Sequence, residues 1–187
     1  MSLIDLNNPN FKFKLAFFDF DNTIINHNSD TYINKLLTYK LNPSLVDNKS
    51  IFKYQYPKEI QELYEKFNWT HRMNGVFEYM HREHNIGKND LIQCIREIRL
   101  DESMINLLNL LNKSGYKLIV LSDANTIFID EILREHRIDH LFEKIYTNLA
   151  NFNENEQLIV KPFNEIFNSN GELFDCDTKI CASNICK

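Results

Sequence analysis

An unbroken apolar run, Leu15–Phe18, ends abruptly in two carboxylates, Asp19 and Asp21. A run of this length and composition predicts a strand buried inside a parallel sheet. Ligands of open α/β sheets bind outside the carboxyl ends of the strands, so we expect these acids to face a site. If the strand continues to Asp21, both acids point the same way and need a cation or a shared proton. The alternative is a strand that runs into an Asx turn at Asp21 and Asn22.

The second half of the chain alternates between helical and strand patterns. The predicted elements are a helix from Asp101 to a stop at Gly115, the strand KLIVLSDAN, a helix over Thr126–His136 and a short strand over Lys144–Thr147. This order is typical of the right-handed βαβ units of a doubly wound parallel sheet. Farther along, Leu158–Val160 and Glu172–Phe174 are predicted to pair as a hairpin.

Residues 26–99 carry helical patterns and no strand signal. Ser29 and Asp30 are suitable caps for a helix that runs to Leu41, before Pro43. Further helices are predicted at about 57–67, 69–85 and 89–99, with Gly87 as the C′ residue between the last two. These residues therefore form an all-helical insertion between the first strand and the rest of the sheet.

Composition places the chain among ordinary globular proteins. It has 187 residues, of which 43% are hydrophobic and 25% charged, enough to bury a core as one domain or one domain with an insertion. No apolar stretch approaches the roughly 18 residues that span a bilayer, and the N-terminus lacks signal-peptide features. These patterns predict a cytoplasmic protein without a membrane partner. The net charge of −5 disfavours nonspecific binding to nucleic acid.

Of the four cysteines, one stands alone and three lie near the C-terminus at intervals of five: Cys94, and Cys176, Cys181 and Cys186. Without a signal peptide, reduced thiols are the default expectation. The spacing of the C-terminal group is wider than in the usual zinc knuckle. A zinc site at this group is therefore the alternative to free thiols.

Two predicted strands end in polar residues, in DFDNT and in LSDAN. Neighbouring parallel strands bring such ends side by side. A carboxylate nucleophile with an acid beside it, close to a hydroxyl and backbone N–H groups, suits attack on phosphorus. A magnesium ion would neutralise the paired carboxylates and a bound phosphate together.

These segments resemble motifs of a known superfamily. DFDNTI is similar to motif I, DxDxT, of the haloacid dehalogenase superfamily, and LSDAN is similar to its motif II. The stretches FDFDNTIINHNSD, LSDANTIFI and CASNICK resemble the subfamily of phosphoethanolamine/phosphocholine phosphatases and pyridoxal phosphate phosphatases. The resemblance implies a Rossmann-like α/β core over residues 1–25 and 100–187, with an inserted helical cap over residues 26–99. It also implies a magnesium-dependent phosphatase that acts on a small phosphorylated metabolite through an aspartyl-phosphate.

The resemblance implies catalytic roles for the matching residues. Asp19 would be the nucleophile and a magnesium ligand. Asp21 would protonate the leaving group, then activate water, and would offer its backbone carbonyl to the metal. Lys187 falls at the position of the motif III lysine, which offsets charge on the nucleophile and the phosphate. The alternative for Lys187 is a solvated terminal lysine, and Lys161 is the second candidate.

The resemblance also implies substrate-binding roles. Ser122 would hydrogen-bond the phosphoryl group, helped by the backbone around Asp123 and by the side chain of Thr23 or Asn125. Asp30 and Asp123 match acidic positions that face the amine head group of the substrate, and an acidic pocket suits a cationic leaving group. The structural alternatives are a helix cap for Asp30 and a turn residue for Asp123.

The chain departs from the resembled family after Lys187, where family members continue to a fourth motif, GDGxND, that supplies another magnesium ligand. The sequence contains no such motif. In the resembled family, the strand that carries this motif lies beside the first strand. We therefore expect a C-terminally incomplete fold, an exposed apolar edge along FFDFD and weak magnesium binding by this polypeptide alone. One hypothesis is a shortened form of a longer phosphatase, and the other is a catalytically inactive remnant that binds a partner or a phosphometabolite. The sequence leaves the substrate and the oligomeric state open.

Overall fold

The computed structural model describes residues 14–41, 56–66, 69–163, 166–167 and 173–174. Its elements, in chain order, are β1 (Lys14–Phe18), α1 (Ser29–Tyr32), α2 (Asn34–Leu41), α3 (Lys58–Lys66), α4 (Trp69–His84), α5 (Lys88–Arg96), α6 (Glu102–Lys113), β2 (Tyr116–Asn125), α7 (Thr126–Glu135), a 3₁₀ turn (Asp139–Leu141), β3 (Phe142–Phe152), β4 (Leu158–Lys161), β5 (Ile166–Phe167) and β6 (Leu173–Phe174). Within these residues, no helix has both the length and the apolar character that a bilayer crossing requires.

Four strands form one sheet in the order β1-β2-β3-β4. The first three run parallel, and β4 is antiparallel to β3. Helix α6 leads into β2 and packs on it, while α7 connects β2 to β3 and packs on both strands. The predicted α/β fold is confirmed, with a mixed sheet in which parallel pairing predominates.

Strand β1 lies at the edge of the described sheet. Its register with β2 pairs Lys14 with Tyr116 and Phe18 with Val120. Phe17 is 49% exposed, an unusual degree of exposure for an aromatic side chain in a strand. Strand β2 continues beyond Val120, so its carboxyl end extends past the end of β1.

Side-chain caps and left-handed residues determine where the helices begin and end. Helix α1 begins at Asn28, whose Oδ1 accepts the Thr31 N–H at 2.8 Å, so the prediction that Ser29 or Asp30 caps this helix is wrong. The prediction of Gly87 as the C′ residue of α4 is also wrong. Asn85, with φ of +51°, occupies that position, and Gly87 precedes α5.

The predicted hairpin between Leu158–Val160 and Glu172–Phe174 is wrong. Strand β4 pairs with β3, and the short strand β6 pairs with β5. The cause is the length of β3, which continues well past the predicted end at Thr147 and into a tight turn. In that turn Asn153 Oδ1 accepts the N–H groups of Asn155 and Gln157, each at 3.0 Å, and this returns the chain antiparallel to β3.

The helices between β1 and α6 share one apolar core with the sheet. Phe77 of α4 and Phe128 of α7 meet edge to face, with ring centroids 6.0 Å apart. The same cluster contains Met80 and Ile95 from the helical insertion and Val160 from β4. The division of the chain into a catalytic core and a cap over residues 26–99 stays a prediction.

A side chain of α4 occupies the outer side of β4. Asn74 Nδ2 donates to the Val160 carbonyl at 2.9 Å, and Asn74 Oδ1 accepts the Val160 N–H at 2.8 Å. The amide therefore satisfies the two backbone groups that a neighbouring strand would otherwise pair. Directed hydrogen bonds thus join α4 to the sheet in addition to the apolar contacts.

Candidate active site

The chain makes a tight turn directly after β1. Phe20 is fully buried, and its carbonyl accepts the Ile24 N–H at 2.9 Å. Asn22 has φ of +56°, in the left-handed region that asparagine tolerates. Strand β1 ends before Asp19, so the condition under which Asp19 and Asp21 would point the same way, a strand that continues to Asp21, is not met. The chain turns at this point, as in the alternative prediction, and backbone hydrogen bonds to the Phe20 carbonyl close the turn.

The turn gives the two carboxylates different surroundings. Asp19 is exposed, and its Oδ1 accepts the Phe20 N–H at 2.6 Å. Asp21 is 7% exposed, and its Oδ2 accepts the Ser29 hydroxyl at 3.1 Å. Burial raises the pKa of Asp21 to about 6; hydrogen bonds from Ser29 oppose the rise, and the charges of Asp123 and Asp19 add to it. An exposed carboxylate therefore lies close to a carboxyl that titrates near neutral pH.

Strand β2 brings a second set of polar groups to the same edge of the sheet. Because β1 and β2 are adjacent and parallel, their carboxyl ends meet. Ser122 is 2% exposed, and its Oγ accepts the Ala124 N–H at 3.2 Å, which leaves the hydroxyl hydrogen to donate elsewhere. Asn125 is fully buried; its Oδ1 caps α7 by accepting the Phe128 N–H at 3.1 Å.

Asn148, a residue that the sequence analysis missed, reaches this edge from β3. Its Nδ2 donates to the carbonyls of Asp123 at 2.6 Å and Ala124 at 3.0 Å, and its Oδ1 accepts the Phe163 N–H at 3.0 Å. Thr147 and Asn148 are polar residues that follow the apolar part of β3, at the point where its pairing with β2 ends. The rule that selected polar residues after the first two apolar runs therefore selects them as well. The available signal was therefore the position of these residues in the sheet.

Asp30 adds a buried carboxyl to the site. It is 8% exposed on the first turn of α1, and its Oδ1 has no hydrogen-bond partner among the described residues. Burial raises the pKa of Asp30 well above its ordinary range, and the charges of Asp21 and Asp123 raise it further. A cationic ligand would lower the repulsion among these three carboxyls.

Replacing Asp30 with asparagine should raise the free energy of unfolding at neutral pH by about 0.5–2 kcal/mol. The folded-state pKa of Asp30 lies above the unfolded value of about 3.9. Between these two pKa values the folded protein holds more protons than the unfolded chain, so stability falls as pH rises through that window. The side-chain amide of the variant cannot ionise. The free energy of unfolding of the variant should therefore fall less steeply as pH rises than that of the wild type.

Urea denaturation of the wild type and Asp30→Asn across the range from about pH 4 to pH 8 measures the difference. Asp139→Asn, which changes an exposed aspartate in the 3₁₀ turn, is the matched control and should keep the wild-type slope. Parallel stability curves for wild type and Asp30→Asn would contradict the prediction.

The remaining predicted residues are exposed, belong to no strand tip, or lie outside the described chain. Thr23 is exposed in the turn after β1, and Lys161 is exposed at the end of β4. Burial raises the pKa of the Cys94 thiol to about 12, so this cysteine is unreactive near neutral pH. The residues that the structure does not describe include the predicted motif III lysine and the alternative zinc ligands: Lys187, Cys176, Cys181 and Cys186.

The oxygen donors at the two strand ends fit a hard cation. Magnesium is usually held by one or two carboxylates together with phosphate and water oxygens. The exposed carboxylate of Asp19 and the carbonyl of Asp21 are donors of this kind. The described residues contain no group of three or more histidine, cysteine, aspartate or glutamate side chains suited to a metal. Magnesium would therefore depend on phosphate and water for most of its ligands, and weak binding in their absence stays a prediction.

A cavity of about 140 Å³ opens beside Asp30. Its wall also includes Tyr56, Trp69, Arg72 and Met73, and so combines a carboxyl, a guanidinium and two aromatic rings. An apolar protein cavity of about 150 Å³ accommodates benzene. The cavity beside Asp30 therefore has room for a small organic group.

Unpaired buried polar atoms mark the same region. Among the described residues, Asp21 Oδ1, Asp30 Oδ1, Asn125 Nδ2 and Thr147 Oγ1 are buried without a hydrogen-bond partner. Buried polar atoms in folded proteins are nearly always paired. Asp21 follows β1, Asn125 ends β2, and Thr147 lies in β3 where its parallel pairing with β2 becomes irregular. Asp30 interacts electrostatically with Asp21. Such a cluster is typical of a site that binds a polar ligand.

The sequence of the chain is similar to those of known phosphatases. A family model described as "Putative Phosphatase" matches residues 14–187. The chain is 35% identical over 175 residues to probable phosphatase phospho2 of Xenopus tropicalis, covering 92% of this chain and 63% of that protein. It is 33% identical over 175 residues to pyridoxal phosphate phosphatase PHOSPHO2 of Mus musculus, covering 92% of this chain and 62% of that protein. The chain thus spans less than two thirds of the length of these relatives.

A solved structure shares the fold. The structure described as the phospho-aspartyl intermediate analogue of phosphoserine phosphatase aligns with a TM-score of 0.53, over 86% of this chain and 67% of that chain. The sequence identity is 16%, so this likeness concerns the fold alone.

Proposed function

Because the chain belongs to the Putative Phosphatase family of the haloacid dehalogenase superfamily, we propose that it is a magnesium-dependent phosphatase of small phosphomonoesters. The observation that carries the proposal is the pairing of an exposed Asp19 with a buried Asp21 whose pKa is raised to about 6. Ser122 lies at the end of the adjacent parallel strand. This arrangement combines a nucleophile, a proton donor and a phosphoryl-binding hydroxyl in one site.

In the first step Asp19 would attack phosphorus with Oδ2, since Oδ1 already accepts the Phe20 N–H. A bond forms between this oxygen and phosphorus, the bond from phosphorus to the leaving oxygen breaks, and Asp21 gives its proton to that oxygen. A carboxyl with a pKa of about 6 holds a proton near neutral pH far better than an ordinary aspartate. Ser29 engages Oδ2 of Asp21, so Oδ1 would transfer the proton.

In the second step water would attack the phosphorus of the aspartyl-phosphate. Asp21, now ionised, takes the proton from water; the bond between phosphorus and Asp19 breaks and phosphate leaves. Ser122 would donate to a phosphoryl oxygen throughout, with Asn125 Nδ2 as a second donor. Lys187 would offset negative charge at the nucleophile. When bound by Asp19 and the Asp21 carbonyl, magnesium would neutralise charge on the carboxylate and the phosphoryl group.

The carboxyls of Asp30 and Asp123 favour a substrate whose leaving group carries a positive charge. The two side chains interact electrostatically with each other, and the cavity beside Asp30 accepts a group about the size of benzene. Phosphoethanolamine and phosphocholine have leaving groups of this kind, and pyridoxal phosphate is a larger candidate.

Phosphate release from four substrates tests the proposal: phosphoethanolamine, phosphocholine, pyridoxal phosphate and p-nitrophenyl phosphate, each with and without magnesium. We expect magnesium-dependent release, with kcat/KM higher for the two cationic alkyl esters. Asp30→Asn should lower kcat/KM for these esters about tenfold and leave p-nitrophenyl phosphate, which has no cationic leaving group, unchanged.

No release from any of the four substrates would contradict a catalytic role. Binding of the same esters without turnover would then support the alternative, a catalytically inactive protein that binds a phosphometabolite.

A further inference from the structure

We infer that Asn148 positions the phosphoryl-binding turn of the site, which is the bulge of β2 over residues 122–124. It acts through the backbone of Asp123 and Ala124. This inference rests on the proposed function, because it assigns Ser122 and the turn after it to the phosphoryl group. Asn148 itself lies within β3, at the last residue that pairs with β2, is 8% exposed and makes three hydrogen bonds. It would touch neither the substrate nor the nucleophile.

The need for such a residue follows from the register of the sheet. Strands β2 and β3 pair Leu121 with Tyr146 and then Asn125 with Asn148, so three residues of β2 face one residue of β3. The backbone ladder cannot serve all three residues of this bulge. Asn148 Nδ2 compensates by donating to two successive carbonyls of the bulge, at 2.6 and 3.0 Å.

Fixing a carbonyl also fixes the N–H of the next residue, because a trans peptide holds the two groups in one plane and on opposite sides. The bond to the Asp123 carbonyl therefore orients the Ala124 N–H, which donates to Ser122 Oγ at 3.2 Å. Since Oγ accepts there, the hydroxyl hydrogen of Ser122 is directed to another acceptor. In the proposed reaction that acceptor is a phosphoryl oxygen.

The orientation of the Asn148 amide is itself fixed. Phe163 donates its N–H to Asn148 Oδ1 at 3.0 Å, and the Phe163 ring packs edge to face on Tyr146, with centroids 5.8 Å apart. The two ends of the amide therefore have distinct partners, an N–H for the oxygen and two carbonyls for the nitrogen. Only an amide satisfies all three contacts at once.

Two substitutions separate positioning from simple stabilisation. Asn148→Asp keeps an oxygen for the Phe163 N–H but places an acceptor against the two carbonyls, and Asn148→Ala removes all three bonds. Thr126→Ala is the matched control, because the Thr126 hydroxyl joins α7 to β3 only two residues beyond Asn148, by accepting the Ala150 N–H at 2.9 Å. All three variants remove hydrogen bonds that β3 makes with neighbouring elements. Only the two Asn148 variants change the turn after Ser122.

Inorganic phosphate is the probe, with its affinity measured by calorimetry in the presence of magnesium and thermal unfolding recorded in parallel. We expect both Asn148 variants to bind phosphate about 10- to 100-fold more weakly than the wild type, and Thr126→Ala to bind within about twofold of it, at similar stability. In the substrate assay the Asn148 variants should also show a lower kcat/KM, whereas Thr126→Ala should not.

Three outcomes decide the inference. Equal phosphate affinity of Asn148→Asp and Thr126→Ala would overturn the inference. The proposed function would still stand if the wild type turns over substrate. If only the Asn148 variants lose phosphate affinity and the wild type does not turn over substrate, the inference is supported and the catalytic proposal is contradicted. No phosphate binding by the wild type would overturn both.

Discussion

Replacing Asp19 with asparagine should lower kcat for p-nitrophenyl phosphate by about 10³-fold or more while the protein stays folded. An amide oxygen is a poor nucleophile toward phosphorus, so the covalent step should stop. The exposed side chain can change without a loss of packing, and its oxygen can still accept the Phe20 N–H. The measurement is phosphate release at saturating substrate with magnesium, together with a thermal unfolding curve.

Asp139→Asn is the control, since it makes the same chemical change at an exposed position in the 3₁₀ turn and should keep wild-type activity. Retention of more than about a tenth of the wild-type kcat by Asp19→Asn would exclude Asp19 as the nucleophile. It would then favour direct attack by water.

Truncating Phe128 to alanine should lower the free energy of unfolding by about 3–5 kcal/mol, because it opens a cavity where the insertion meets the sheet layer. Phe128 is 1% exposed and Phe77 is 2% exposed, and the two rings meet edge to face. Phe77→Ala should have a comparable effect. Because the side chains touch, the double variant should lose less than the sum of the single losses, with a coupling of about 0.5–1.5 kcal/mol.

Denaturant unfolding followed by two probes measures these losses. The chain has one tryptophan, Trp69 at the start of α4, so fluorescence reports on the helical insertion while circular dichroism reports on the whole chain. The two transitions should coincide in the wild type. Leu110→Ala, at a position 61% exposed, is the control and should change stability by no more than about 0.5 kcal/mol. Separate transitions from the two probes would contradict the shared core and favour an independently folding cap.

The sequence was sufficient to locate the tips of the first two strands. Asp19 and Ser122 each follow an apolar run, and the end of such a run is a local property of the chain. The different burial of Asp19 and Asp21 could not be found this way. It arises because the chain turns at Asn22 and returns Ser29 to the buried carboxyl of Asp21, a contact set by the path of the backbone.

Asn148 escaped prediction for a related reason. The carbonyl it binds most closely belongs to Asp123, 25 residues earlier in the chain, and the need for that bond arises only from the uneven pairing of β2 with β3. The connection between α4 and α5 is a second feature that the sequence alone does not predict correctly. Glycine is the usual residue in the left-handed region, so the sequence favours Gly87, but Asn85 adopts that conformation two residues earlier.

The bonds from Asn74 to Val160 make the two edges of the described sheet differ in how easily they accept another strand. Because both backbone groups of Val160 are already engaged, an incoming strand cannot pair with that residue. Additional polypeptide would pair more readily along Lys14–Phe18, at the opposite edge of the described sheet. A strand-mimicking peptide should therefore be designed against that edge, and an affinity tag is best kept away from it.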